Sequence, residues 1–137
     1  MDVSSLKRNS SLSEVGDWVD DIPGLDDVRL RVRGLTSPTV VSYRARRERR
    51  APPSDRDRDG TLKPGPAMEA LADALVEVVL LDWDGFTSNG EPVPYSKEQA
   101  SEWLHDPDFM AFADAVTWAA QVVGRDNKEK EEALGKN

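Results

Sequence analysis

The sequence predicts a mainly α protein: a short N-terminal strand and a basic helix, then a charged linker, then a compact three-helix C-terminal region. Three observations carry that expectation. Apolar residues recur at helical spacing through Met68, Leu71, Leu75, Val78 and Val79, with Glu69, Asp73 and Glu77 on the other face. Ser37-Pro38, Ser96 with Gln99, and Asp106-Pro107 are helix-start signals. Only one stretch, Val28-Arg29-Leu30-Arg31-Val32-Arg33-Gly34, alternates with the period of a strand.

In chain order, residues 1–13 are Ser-rich and polar and read as a disordered arm. Val15, Trp18, Val19 and Ile22 read as a short docked segment ended by the Pro23-Gly24 turn. The strand follows, with Val28, Leu30 and Val32 facing inward. Ser37 then caps a helix over 38–50 whose second half, Arg44-Ala45-Arg46-Arg47-Glu48-Arg49-Arg50, is almost wholly cationic. Cations suit a helix C-terminus, while their mutual repulsion offsets part of that gain. Residues 14–50 thus form the N-terminal strand plus basic helix, and 51–66, with four prolines and two glycines, form a linker.

The helical core region spans 67–124. Its first helix is expected from Pro66 to about Trp83, followed by turn chemistry at Asp84-Gly85 and Asn89-Gly90. Pro92 and Pro94 keep the next stretch extended. A second helix, burying Ala100, Trp103 and Leu104, is expected to stop near His105. The third carries the stripe Phe109, Phe112, Ala113, Val116 and Val123, with Gly124 as its C′ glycine. Residues 125–137 read as a charged tail.

Composition excludes several function classes. The chain has 137 residues, no cysteine and a formal net charge of −8, so neither a disulfide nor a thiolate metal site can form. No apolar stretch reaches bilayer-spanning length and the N-terminus lacks a secretion-signal core, so a soluble intracellular protein is expected, with no membrane partner. Residues 1–60 carry 12 Lys/Arg against 11 Asp/Glu, whereas residues 61–137 carry 6 against 15. That balance argues against general nucleic-acid binding, since phosphate contacts need clustered cations.

The motifs that could carry chemistry are few. Asp55-Arg56-Asp57-Arg58-Asp59-Gly60 resembles half of a calcium loop, but Pro66 stands where the bidentate glutamate belongs and two arginines interrupt the acids. A solvated charged turn is the better reading. His105, the single histidine, sits at a helix end and reads as a capping or surface group. No catalytic residues, no metal ligands and no cofactor site assemble, and the chain is expected not to be an enzyme. Partner binding is assigned instead to Trp83, Phe86, Tyr95 and Trp103, within the aromatic-rich second half, and to Arg44, Arg46, Arg47 and Arg50. For any one of these aromatic residues the simpler reading is a place in a small three-helix core, with exposure in a binding groove as the alternative.

Three stretches together resemble the tail assembly chaperones of long-tailed bacteriophages and prophages. They are Leu30-Arg31-Val32-Arg33-Gly34-Leu35-Thr36-Ser37-Pro38, Asp82-Trp83-Asp84-Gly85-Phe86, and Gly90-Glu91-Pro92-Val93-Pro94-Tyr95-Ser96-Lys97-Glu98. The resemblance covers roughly residues 28–123, and its motifs are structural, not chemical. It implies a chaperone that acts in the cytoplasm of the bacterial host. Such a protein binds the tape-measure protein, helps recruit tail-tube protein around it, and is absent from the finished particle. Two alternatives stand beside it: a tail-completion or adaptor protein retained in the virion, and a small nucleic-acid-binding regulator using Arg44–Arg50. Self-association is left open, since no heptad repeat is long enough to specify an oligomer.

Overall fold

A strand with Leu30 and Val32 buried on one side and Arg29 and Arg31 on the other has unpaired backbone groups along both edges, and it must find partners for them. In the computed structural model, which describes residues 1–125, it finds two. Strand β1 (Asp17–Val19) pairs antiparallel with one edge of β2 (Arg29–Val32), and β3 (Leu80–Asp84) pairs antiparallel with the other. A second, two-stranded sheet joins β4 (Thr87–Ser88) to β5 (Glu91–Pro92). Asn89 and Gly90 both take positive φ, 51° and 82°, at its turn, the geometry that tight hairpins prefer.

The fold is therefore mixed α/β, and the expectation of a mainly α protein is corrected. Among the described residues, the two small antiparallel sheets stand beside five α-helices: α1 (Ser10–Val15), α2 (Pro38–Arg50), α3 (Pro64–Ala74), α4 (Lys97–Leu104) and α5 (Met110–Val122). The C-terminal region is likewise not a simple three-helix unit. The expected helix from Pro66 to Trp83 stops at Ala74, passes through a π-helical turn at Leu75–Val79, and becomes β3. The run Val76-Glu77-Val78-Val79-Leu80-Leu81 is rich in β-branched residues and nearly continuous in hydrophobicity. Periodicity does not separate helix from strand in such a run, and the open edge of β2 decides the outcome.

Arg33 fixes the junction. Its backbone N–H donates to the Val79 carbonyl at 2.9 Å and its Nη1 to the Val78 carbonyl at 3.0 Å, satisfying acceptors left at the end of the π turn.

Other segments follow the helix-start signals. Ser37 Oγ accepts from the Val40 N–H and Ser96 Oγ from the Gln99 N–H, so α2 and α4 begin where their caps are. Asp106 accepts from the Asp108 N–H and opens a short 3-10 turn, Pro107–Phe109, that leads into α5. Gly124, φ 87°, follows α5 at the C′ position.

Residues 1–13, expected as a disordered arm, carry a 3-10 turn at Val3–Leu6 and most of α1. The Asn9 N–H donates to the Gly124 carbonyl at 2.6 Å, and Ser13 is buried. The expected linker at 51–66 is built rather than loose. Pro53–Asp55 form a 3-10 turn, Arg56 bridges Leu62, and Pro64 already opens α3. The charged tail expected at 125–137 lies outside the described residues, except for Arg125, which bridges Arg8.

One core unites these elements. Leu30, Val32 and Val40 pack with Leu75, Val79, Leu80 and Val116. Helix α5 lies against β2 and the π turn, α2 against α3, and α4 against both α3 and α5. Among the described residues, no helix is long and apolar enough to cross a membrane.

Candidate functional site

Trp83, the fourth residue of β3, is 4 % exposed and stands at the centre of an aromatic hub. Its ring is stacked on Trp103 of α4, with centroids 5.1 Å apart and planes 18° apart. It meets Phe86, Tyr95 and Phe112 edge to face at 5.5, 5.0 and 5.9 Å. Such ring pairs each add about 0.5–1.5 kcal/mol beyond the area they bury. The indole Nε1 donates to the Val93 carbonyl at 2.8 Å, and the Val93 N–H returns a bond to the Phe86 carbonyl at 2.9 Å. Pro92 and Pro94 hold Val93 in the extended form that presents both groups. The Trp-containing turn and the extended Pro segment are therefore two halves of one interlocked unit.

Among the four aromatic candidates, Trp83 thus serves the core, while Phe86, Tyr95 and Trp103 are half-buried around it. The surface of the hub lies one step further out. Trp103 stacks on Phe109 at 5.8 Å, and Phe109 is 43 % exposed.

Next to Phe109 runs a groove of about 320 Å³ between α3 and the start of α5, floored by Ala72, Leu104 and Ala113. Met68 and Met110 rim it, 58 % and 42 % exposed. Glu69, Asp106 and the imidazole of His105 supply its charged and polar edge. Met68 lies on the face of α3 expected to be apolar, but that face is too wide for the core to cover. A methionine at a helix start and another after a Pro-led turn gave no sequence signal of exposure.

The basic candidates divide. Arg47 Nε pairs with Asp73 Oδ2 at 3.0 Å, with both side chains largely buried. The other oxygen of Asp73 lies 2.8 Å from Nε2 of His105. Asp73 thereby ties α2, α3 and the end of α4 together, a role its spacing hides, because it recurs with Glu69 and Glu77 on the polar face of the helix. Arg44, Arg46, Arg49 and Arg50 are exposed, and among the described residues none has an ion pair. The acidic second half therefore answers one arginine of the five.

His105 caps α4, with Nδ1 2.8 Å from the Ser101 carbonyl. That carbonyl, followed by the Asp73 carboxylate, raises the imidazole above its ordinary pKa, against the opposing effect of partial burial. Nδ1–H must donate to a carbonyl, so a neutral ring would turn a bare Nε2 toward a carboxylate; only the protonated ring satisfies both neighbours.

The half calcium loop is organised around Arg56. Its guanidinium donates to the Gly60 carbonyl at 2.9 Å, to the Ala51 carbonyl at 3.4 Å and to the Glu48 carbonyl, joining the loop to the C-terminal end of α2. Among the described residues, no group of three or more His, Asp or Glu side chains is placed to hold a metal ion.

A family model described as YdaY prophage protein matches residues 37–137, a span that includes α2, α3 with its groove, and the whole aromatic hub. Neither the curated proteins nor the solved structures contain a match. Because the matched span is most of the chain, the protein belongs to the YdaY prophage protein family.

Proposed function

We propose that this prophage protein is a tail assembly chaperone, acting by binding and not by catalysis. It holds the tape-measure protein and helps recruit tail-tube subunits around it. The observation that carries the reading is the methionine-rimmed groove of Met68, Leu104 and Met110 beside exposed Phe109. A tape-measure protein presents long apolar helical segments that would aggregate before a tube encloses them. Thioether side chains are flexible and polarizable, and they adapt to helices of varied sequence. The hub beneath supplies a rigid seat, and the groove takes an amphipathic helix by its apolar face. The resemblance to tail assembly chaperones adds support, because two of its three stretches are the parts that interlock around Trp83.

The test is co-expression of the tagged full chain with the proteins encoded beside it. The reading expects recovery of a long, helical, otherwise insoluble neighbour, and loss of that neighbour with Met68→Glu/Met110→Glu at unchanged melting temperature. Recovery of the chain alone would overturn it. Finding the chain in purified virions would favour the adaptor reading.

A further inference from the structure

Helix α3 separates two grooves. Met68 and Ala72 face the one just described, whereas Ala67, Ala70 and Leu71 line a second, of about 400 Å³, shared with α2. Leu35, Val41, Ala45 and Leu62 complete its apolar surface, and Val41 is 53 % exposed. Its charged lining consists of Arg44, Arg47 and Glu48. Arg47 is engaged by Asp73, which leaves Arg44 and exposed Glu48 at the rim, so the positive excess comes from Arg46, Arg49 and Arg50, exposed further round the same helix. Arg46 and Arg50 stand four residues apart, a like-charge spacing that destabilises a helix. Their position at the C-terminal end of α2 offsets part of that repulsion, and among the described residues neither has an ion pair.

We infer that the α2/α3 groove is a second docking surface, which takes an acidic amphipathic helix of another protein. An aliphatic side chain of the partner would enter between Val41 and Leu71, and flanking carboxylates would meet Arg44 and its neighbours. Charge complementarity names the occupant's sign, and the apolar floor names its class. A nucleic-acid backbone would gain nothing from Val41, Leu62 and Leu71. A duplex, with a charge every 1.7 Å or so, would also be repelled by a chain of net charge −8 far more than a short acidic segment. This surface goes beyond the proposed tape-measure contact and gives the chain two separate docking faces. The grooves lie on different sides of α3, so either can fail alone.

The experiment is fluorescence anisotropy on the full chain with three labelled probes: a Leu/Glu-rich helical peptide, its Leu/Lys counterpart, and a DNA duplex. Binding of the Leu/Glu peptide in preference to the other two is expected. Val41→Ser and Arg44→Glu should each weaken it about tenfold, with melting temperature unchanged because both positions are exposed. Arg46→Glu serves as a second charge reversal remote from the apolar floor. Tighter binding of the duplex would overturn the inference in favour of a nucleic-acid surface. Equal binding of both peptides, or Leu/Glu binding indifferent to Val41→Ser and Arg44→Glu, would overturn it too.

Discussion

Asp73 receives Nε2 of His105 at 2.8 Å across the gap between α3 and the end of α4, while its second oxygen holds Arg47 of α2 at 3.0 Å. A carboxylate with a cation on each oxygen makes the packing of three helices depend on charge. The folded pKa of His105 is raised above 6.5. Its contribution to stability is therefore fully present below the unfolded value and is lost as pH rises through the folded one. The melting temperature should fall over that window in the native chain and stay flatter in His105→Gln. The effect is small, because the imidazole is about a third exposed and solvent screens the pair. A pH-independent difference between the two proteins would contradict it.

Removing Asp73 itself has a larger effect. Asp73→Ala leaves Arg47 and His105 facing each other without their anion, and should cost about 1–3 kcal/mol. Double substitution with Arg47→Leu should recover part of that loss, measured by urea unfolding, because the uncompensated charge goes with it.

Trp83 and the methionines should separate folding from binding. Trp83→Ala opens a cavity among four rings and deletes the bond to Val93, a loss of about 3–5 kcal/mol, which is much of a small domain's stability. Met68→Ser and Met110→Ser should change stability by no more than about 0.5 kcal/mol while abolishing recovery of the tape-measure protein. If Trp83→Ala melts like the native chain, the hub is not the core.

Much of this architecture was legible in the sequence, and the misreadings share a cause. Helices α2, α4 and α5, the inward set Val28, Leu30 and Val32, and the Asn89-Gly90 turn follow from local signals: caps, period-two alternation and positive φ. Strands β1 and β3 are fixed by the edges of β2, a non-local demand that three residues at Asp17–Val19 and a nearly continuous apolar run over Val76–Leu81 do not announce. Arg56, Asp73 and Glu14 look like solvated charges in one dimension; Asp73 and Glu14 are committed to partners distant in the chain, and Arg56 to the backbone of its own loop and the end of α2. The crowding of aromatic residues is visible in the sequence, but which ring faces outward depends on the stacking of Trp83, Trp103 and Phe109.

Arg56 should control the order of the 51–63 loop. Arg56→Ala removes the donor shared by the Glu48, Ala51 and Gly60 carbonyls. Limited proteolysis should then cut between Pro53 and Lys63, with little change in melting temperature because the loop lies outside the core. A loop that stays resistant would mean that the Asp57 and Thr61 backbone bonds suffice.

Glu14 links the N-terminal helix to the start of α2. The Thr39 hydroxyl donates to its Oε2 and the Thr39 N–H to its Oε1 at 3.1 Å, while its own carbonyl accepts from Arg33 Nε at 2.8 Å. Those two Thr39 donors, the hydroxyl first, hold the carboxyl below its ordinary pKa of 4.5, and a negative charge at a helix N-terminus is favourable in itself. The sign is opposite to that of His105. Stability from Glu14 is present above the unfolded pKa and is lost as pH falls through the folded value. Glu14→Gln should therefore be less stable than the native chain near neutrality, with faster amide exchange at Thr39, and the gap should close in acid. A gap of constant size down to low pH would show that the hydrogen bonds matter and the charge does not.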